Sequence, residues 1–218
     1  IDNLSGSIQV STSLISANMG ISGTEAAGLL GSFSRLNGNS EDTALNLTKA
    51  TQQFAKQNGV IPSAVMQDLA SATEEFALYG KEGGKNLIEA ATYARKLGTN
   101  LKTVTAIGDS LLDFETSITK ELEASAILGR NINLNKARGL FYAGKEKEAM
   151  DEVLRVVGGL DEFNKMDRFS KRAVADLLGI QADTLQTMLA NQENANELAG
   201  TLAGKFSVAG EALQAGLN

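Results

Sequence analysis

Apolar residues recur at spacings of three and four along most of the chain, which is the periodicity of amphipathic α-helices. In its clearest stretch the pattern holds for about five turns, and it predicts one longer helix over about residues 101 to 128. The apolar positions of that stretch are Val104, Ile107, Leu111, Phe114, Ile118 and Leu122. Shorter stripes before and after it each end near a glycine. The sequence therefore predicts an all-α fold of many short helices joined by Gly turns.

One local arrangement occurs three times: a helical pattern, a glycine, a short loop and a new helical pattern. The glycines are Gly59, Gly98 and Gly179, each with an alanine four residues earlier and a valine or leucine six residues later. A glycine in this position typically takes a left-handed conformation just after the last helical residue, and the small alanine permits tight packing. We therefore expect helices that fold back on one another.

Composition divides the chain into three regions. Residues 1–40 are rich in Gly and Ser, and they predict a weakly helical segment that needs a partner surface, because Gly in a helix interior costs about 1 kcal/mol relative to Ala. Residues 41–191 predict a compact helical domain, and residues 192–218 predict an Ala/Gly-rich helical tail. Since the chain begins at Ile1 and residues 211–218 still follow an amphipathic pattern, we expect a piece of a longer protein.

Composition also narrows the classes of function. His and Cys are both absent, which removes the usual general base, the commonest metal ligand, disulfides and thiolate nucleophiles. The net charge is −6 and no basic run is present, whereas nucleic-acid binders rely on basic patches to neutralise phosphates. No stretch reaches the roughly 18 apolar residues of a membrane span. We therefore expect no catalytic activity, no cofactor, no bound metal ion and no specific nucleic-acid partner.

The recurring glycine pattern is also the skeleton of a DNA-reading helix-turn-helix. Ala175, Gly179, Leu185 and Met188 fall at the expected offsets, and the following helix, residues 182–190, would enter the major groove. That helix carries no Lys or Arg, however, and the pattern occurs three times in an acidic chain. Both observations favour a packing motif over a DNA-binding one.

Clustered carboxylates offer a second alternative. Acidic residues occur at Asp109, Asp113, Glu115, Glu121 and Glu123, and paired carboxylates serve acid–base chemistry or hard metal ions. These residues also flank the long apolar stripe, where solvated acids are expected on an amphipathic helix. We therefore interpret them as surface charge.

Several short segments, in this order, carry a resemblance to a known family. They span about two thirds of the chain: Leu47–Thr51, Phe54–Lys56, Val65–Ala70, Gly83–Leu87, Ala94–Gly98, Asp109–Glu115, Glu123–Ser125 with Leu128–Arg130, Leu134–Arg138 and Glu162–Met166. Together they resemble the central region of the tail tape-measure proteins of tailed bacteriophages, particularly contractile, marine T4-like types.

The resemblance implies a mostly helical protein that spans the lumen of the tail tube during assembly and sets tail length. It implies contact with tail tube and baseplate hub proteins, and assembly in the host cytoplasm. In the virion the protein would lie in the tail lumen or at the tail tip. It would leave at infection, which is the only stage at which we expect membrane contact. No catalytic residues come with it. The symmetry of such tails suggests a homo-oligomer, a trimer or a hexamer. This sequence differs from a long helical coil, because frequent glycines end its helices, and it therefore indicates a compact helical section.

The residues expected at a protein interface are Leu111, Phe114, Ile118 and Leu122, from the longest apolar stripe. The same four residues fit a helical core equally well, and the sequence leaves both interpretations open. Two other functions also stay open: a soluble helical scaffold or chaperone domain, and a helix-turn-helix regulator.

Overall fold

The computed structural model describes residues 12–13, 15–17, 20–38, 40–79 and 84–195. The helices, in chain order, are α1 (Gly23–Leu36), α2 (Glu41–Gln57), α3 (Pro62–Ser71), α4 (Thr73–Tyr79), α5 (Lys85–Lys96), α6 (Leu101–Leu112), α7 (Phe114–Leu128), α8 (Asn135–Tyr142), α9 (Glu146–Val157), α10 (Gly159–Lys165), α11 (Arg168–Leu178) and α12 (182–195). Residues 12–13 and 15–17 are helical too, and no strand occurs in these ranges. The predicted all-α class is confirmed.

The three recurring glycines form the predicted helix ends. Gly59, Gly98 and Gly179 have φ values of 72°, 77° and 68°, a left-handed conformation that favours glycine. After Gly98, the Thr99 N–H donates to the carbonyl oxygen of Ala94 at 2.9 Å, and the equivalent bonds after the other two glycines are 3.1 Å long. The alanine four residues before each glycine thus supplies the carbonyl that closes the turn. All three alanines are buried.

The helices enclose two apolar cores that meet along α5. The first core draws on α1 to α5 and on Leu101 at the start of α6, and it includes Leu87 and Ile88 of α5, whereas the second draws on α5 to α12 and includes Ala94 and Leu97. Because α5 supplies one end to each core, it joins the two halves of the molecule.

The described part of the predicted N-terminal segment belongs to the first core. Ser22 begins α1 with a capping box, in which its hydroxyl accepts from the Glu25 N–H and the Glu25 carboxylate accepts from the Ser22 N–H. Leu29 and Phe33 are buried, and the Phe33 ring packs edge-on against Phe76 of α4 at 5.4 Å. The partner surface that this segment needs is provided by α2 to α4, so the boundary predicted at residue 40 does not divide the core. Residues 1–11 and the tail from 196 to 218 lie outside the described residues.

Helices α8 and α9 form a hairpin that packs against α5 and α6. Its turn contains Gly144, with a φ of 71°. On α6, Gly108 lets the ring of Phe141 approach the helix backbone, because a Cβ at Gly108 would lie only 2.9 Å from a ring carbon. The small residue sets how close α8 comes to α6.

The predicted single helix over residues 101–128 is wrong in one respect, because it is broken in two. Asp113 separates α6 from α7 with a ψ of 82°, outside the helical range. The Asp113 carboxylate caps α7 by accepting from the Thr116 N–H at 3.5 Å, and its carbonyl oxygen accepts from the Ser117 N–H at 2.8 Å. The Ser117 hydroxyl donates back across the break to the carbonyl oxygen of Leu111 at 2.9 Å. These bonds satisfy backbone groups that the break would otherwise leave free.

Candidate protein-binding surface

The break at Asp113 moves the apolar stripe from the core to the surface. Before it, Ile107 and Leu111 are fully buried at 0% exposure. After it, the exposed fractions of Phe114, Ile118 and Leu122 are 53%, 45% and 67%. These three residues, here called the α7 stripe, lie on one face of a single helix and are exposed in the described part of the chain.

The inward face of α7 carries small residues. Its only buried residues are Ser117 and Ala124, and this face packs against α11. At about 100° per residue, Ile118 points roughly 100° away from Ser117 around the helix. The Lys120 ammonium fastens the contact by donating to the carbonyl oxygen of Asp176 on α11 at 3.1 Å. Helix α7 thus places small residues toward the core and large apolar residues toward the solvent, which is the reverse of the usual amphipathic arrangement.

A buried ion pair fixes α7 against α8. Arg138 is 2% exposed, and its guanidinium lies 2.7 Å from the Glu121 carboxylate while also donating to the hydroxyl of Ser117 at 3.2 Å and to Asn135 Oδ1 at 2.9 Å. The same Glu121 carboxylate accepts from the Leu134 N–H at 3.1 Å. Because the Arg138 guanidinium is buried and the Glu121 carboxylate beside it is largely covered, α7 presents its stripe from a fixed position.

The charge around the α7 stripe is acidic. From residue 113 to residue 128 the chain carries four carboxylates and one ammonium, a formal balance of −3, but one of these carboxylates, Glu121, is paired with Arg138 of α8. Asp113, Glu115 and Glu123 are exposed, whereas the single ammonium, on Lys120, is bonded to α11. Of these exposed carboxylates, Glu115 lies nearest the stripe, about 60° around the helix from Ile118.

Three of the four predicted interface residues come together on this surface, and the fourth does not. Leu111 belongs to the second core, so its prediction as an interface residue is wrong. Ile127 is 53% exposed and was not predicted, but it lies about 140° around the helix from Leu122 and outside the stripe. The sequence signal for the break was Asp113 itself, since Asp is a preferred N-cap residue.

The helix-turn-helix pattern forms a packing motif in the structure. Leu185 and Met188 of α12 are fully buried in the second core. On the exposed side of this helix, Gln186 donates to Asn164 Oδ1 at 3.1 Å and Thr187 donates to the carbonyl oxygen of Asp183 at 2.9 Å. Both are engaged with their own chain.

A cluster around Glu152 ties α8 to α9. The Glu152 carboxylate accepts from the Arg155 guanidinium at 2.5 and 3.0 Å and from the Lys136 ammonium at 3.1 Å. The hydrogen bonds from Arg155, followed by that from Lys136, lower the pKa of Glu152 to about 2. Lys136 and Arg155 are mostly exposed, so solvent screening weakens the attraction. The arrangement stabilises the hairpin.

A polar cleft of about 260 Å³ lies where α2, α5, α9 and α12 meet. The Tyr93 hydroxyl donates to Asp151, and Lys147 both contacts that carboxylate at 2.9 Å and lies 5.0 Å from the centre of the Tyr93 ring. Burial, followed by the hydrogen bond to Asp151, raises the pKa of Tyr93, which keeps the phenol protonated as a donor. These contacts join α5 to α9 at the boundary between the two cores.

The carboxylates considered as a metal or acid–base site are spread over α6, the break and α7. Within the ranges that the structure describes, no group of three or more His, Cys, Asp or Glu side chains is placed to hold a metal ion. Over the same ranges, no helix combines the length and apolar character needed to cross a membrane. Comparison of the chain with protein-family models, curated proteins and solved structures found no match in any of the three.

Proposed function

We propose that this chain is a structural protein of a phage tail, a tape-measure protein that sets tail length and occupies the tail tube and baseplate hub through helix-mediated contacts. The observation that carries the proposal is the α7 stripe, a row of large apolar side chains exposed on a helix that the rest of the chain holds in place. The ordered segments that resemble tape-measure proteins supply the setting.

The free energy that one stripe can contribute to binding is small, which favours a protein that acts in several copies. Phe114, Ile118 and Leu122 are each about half exposed, so covering them contributes about 1 kcal/mol each and about 3 kcal/mol together. Association of two proteins costs at least about 4 kcal/mol in lost freedom of motion. The apolar contact of one stripe does not cover this cost by itself, so a lasting complex needs further contacts, and three or six copies joined in a trimer or hexamer would supply them by multiplying the contact.

The acidic charge suits a tube that DNA also passes through. With a net charge of −6, the chain repels the phosphate backbone at long range, which disfavours adhesion to the DNA. An apolar contact with protein walls is not weakened by that repulsion. The two properties allow the chain to be held by protein while DNA passes.

The proposal can be tested by finding where the chain lies in the phage particle. Purified virions would be probed with an antibody against the chain by immunogold electron microscopy, and their protein content identified by mass spectrometry. We expect label at the tail tip and peptides from the chain in intact particles. Finding the chain in no virion, and only free in infected cells, would end the proposal.

A soluble scaffold or chaperone domain is the second candidate, and the same stripe supports it because it lies on a single helix. This function predicts a stable monomer that captures one partner. Light scattering separates the two candidates: a single monomeric mass at all concentrations favours the scaffold, and a threefold or sixfold mass favours the tail protein.

A further inference from the structure

We infer that Asn37 is a site of spontaneous deamidation, and that Asn58, which occupies a similar position, is protected by the turn that follows it. The chain contains two Asn-Gly pairs, Asn37-Gly38 and Asn58-Gly59, and each comes directly after the last residue of a helix. The inference concerns the covalent chemistry of the chain and does not depend on the proposed function.

Deamidation of an Asn-Gly pair needs no reactant other than water. The glycine nitrogen gives up its proton to solvent base and attacks the side-chain carbonyl carbon, Cγ, of the asparagine. The new N–Cγ bond closes a succinimide ring, the Cγ–Nδ2 bond breaks, and Nδ2 takes up a proton and leaves as ammonia. Water then opens the ring at either carbonyl and gives aspartate or isoaspartate. Glycine favours the attack because it has no Cβ to crowd the nitrogen.

The two sites are alike in exposure and in the bonding of the amide. Gly38 and Gly59 are both exposed, with φ values of 67° and 72°. At either glycine, no atom of a non-neighbouring residue lies within 4 Å of the position that a Cβ would take. The side-chain amides of Asn37 and Asn58 each donate to the carbonyl oxygen four residues earlier, at 2.8 and 2.9 Å. These features do not distinguish the two asparagines.

At Asn58 the attacking nitrogen is held in place by its turn. The Gly59 N–H donates to the carbonyl oxygen of Lys56 at 3.1 Å, and the Val60 N–H donates to that of Ala55 at 3.1 Å. The Val60 side chain also packs against the first core. To bring the glycine nitrogen to Cγ, the asparagine must rotate about its Cα–C bond. At Asn58 this rotation moves both N–H groups away from their acceptors.

At Asn37 the attacking nitrogen is less restrained. Among the residues that the structure describes, none accepts a hydrogen bond from the Gly38 N–H. The Ser40 N–H donates to the carbonyl oxygen of Asn37, but at the longer distance of 3.3 Å. Because more hydrogen bonds must open at Asn58, its reactive conformation should be at least about tenfold rarer than that of Asn37.

Deamidation at Asn37 would weaken the end of α1. Aspartate has a carboxylate in place of the amide that donates to the carbonyl oxygen of Phe33, and a negative charge is unfavourable at the C-terminal end of a helix. Isoaspartate also lengthens the backbone within the turn. Since Phe33 is buried and packs against Phe76, the reaction should loosen the first core as the protein ages.

Peptide mapping by mass spectrometry measures both reactions in the full chain. The chain would be kept at mildly alkaline pH, both folded and unfolded in guanidinium chloride. Trypsin then places the two asparagines in separate peptides, because Lys49 and Lys56 lie between them, and exchange of NH2 for OH raises the mass of each reacted peptide. Both sites should react at similar rates in the unfolded chain. In the folded chain, Asn37 should react at least about tenfold faster than Asn58.

Matched variants assign the protection of Asn58 to its turn. Val60→Ala removes part of the apolar contact that keeps the turn closed, and it should speed deamidation of Asn58 in the folded chain about threefold. Ile61→Ala is the control, because Ile61 is 70% exposed, and it should leave both rates unchanged.

A second variant isolates the effect of the reaction at Asn37. Asn37→Gln keeps an amide at this position, but its longer side chain cannot close the same ring. After incubation in buffer, the reacted parent chain should have a urea midpoint about 0.3 M lower than the fresh chain. The Asn37→Gln variant should keep its own midpoint over the same time.

Three results would overturn the inference. The first is deamidation of Asn58 at the same rate as Asn37, or faster, in the folded chain. The second is the absence of reaction at Asn37 in the folded chain over a time in which both sites react in guanidinium chloride. The third is an Asn58 rate that Val60→Ala leaves unchanged, because the turn would then not be the source of protection.

Discussion

Replacing two leucines of one sequence stripe by alanine should have very different effects on stability. Leu111 is fully buried, and Leu111→Ala should lower the free energy of unfolding by about 3 kcal/mol, through lost transfer energy and the cavity left behind. Leu122 is 67% exposed. Only about a third of its side chain is covered, which corresponds to about 0.7 kcal/mol, and the higher helix propensity of Ala reduces the loss to about 0.5 kcal/mol.

Urea unfolding followed by helical circular dichroism measures both changes. With a slope of about 3 kcal/mol per molar urea for a chain of this size, Leu111→Ala should shift the midpoint by about 1 M, and Leu122→Ala by about 0.2 M. Phe114→Ala, on the same side of the break as Leu122, serves as a second exposed variant. Equal losses at Leu111 and Leu122 would refute the reasoning, because they would mean that one helix runs through Asp113 with a single buried stripe.

Three further predictions concern packing and charge inside the fold. Gly108→Ala should destabilise the chain by about 1–3 kcal/mol because the added methyl group meets the ring of Phe141. Gly28→Ala, which lies in open space on α1, should instead stabilise it by about 0.5–1 kcal/mol. Thermal unfolding of the two variants checks both changes. Glu152, with a pKa of about 2 in the fold and near 4.5 otherwise, stabilises the fold above pH 4.5, and about 1 kcal/mol of this is lost as the pH falls toward 2. Urea midpoints measured across that range should show this loss in the parent chain and a flatter profile in Glu152→Gln. Arg138→Met should cost about 3 kcal/mol by leaving the largely covered Glu121 carboxylate without its partner, and Arg138→Met/Glu121→Met should recover most of this loss. A double variant no more stable than the single one in urea unfolding would contradict this account.

The helix class and the helix ends followed from local patterns. The three- and four-residue spacing of apolar residues reports the helical period directly. At Gly98, the left-handed turn and the buried Ala94 followed from the sequence because both depend on a few consecutive residues. Phe114, Ile118 and Leu122 were predicted as interface residues together with Leu111, and the sequence alone did not decide whether the four lie in the core or on the surface.

The candidate surface itself depends on contacts between residues far apart in the chain. The same spacing of apolar residues continues on both sides of Asp113, so the pattern cannot distinguish one helix from two. The side on which each half lies depends on the backbone rotation at that residue and on where Ser117 and Ala124 find α11 to pack against.

By itself, then, the sequence determined that the chain is helical, where most helices end, and that it is acidic and lacks His and Cys. Only the tertiary structure decided that Leu111 lies in a core while Leu122 lies on the surface, and that residues 20–38 pack with the first core. The physical reason is the distance along the chain between the residues that decide each property. Helical period and glycine conformation are set by neighbouring residues, whereas burial is set by which distant helices come together and how closely their side chains let them approach.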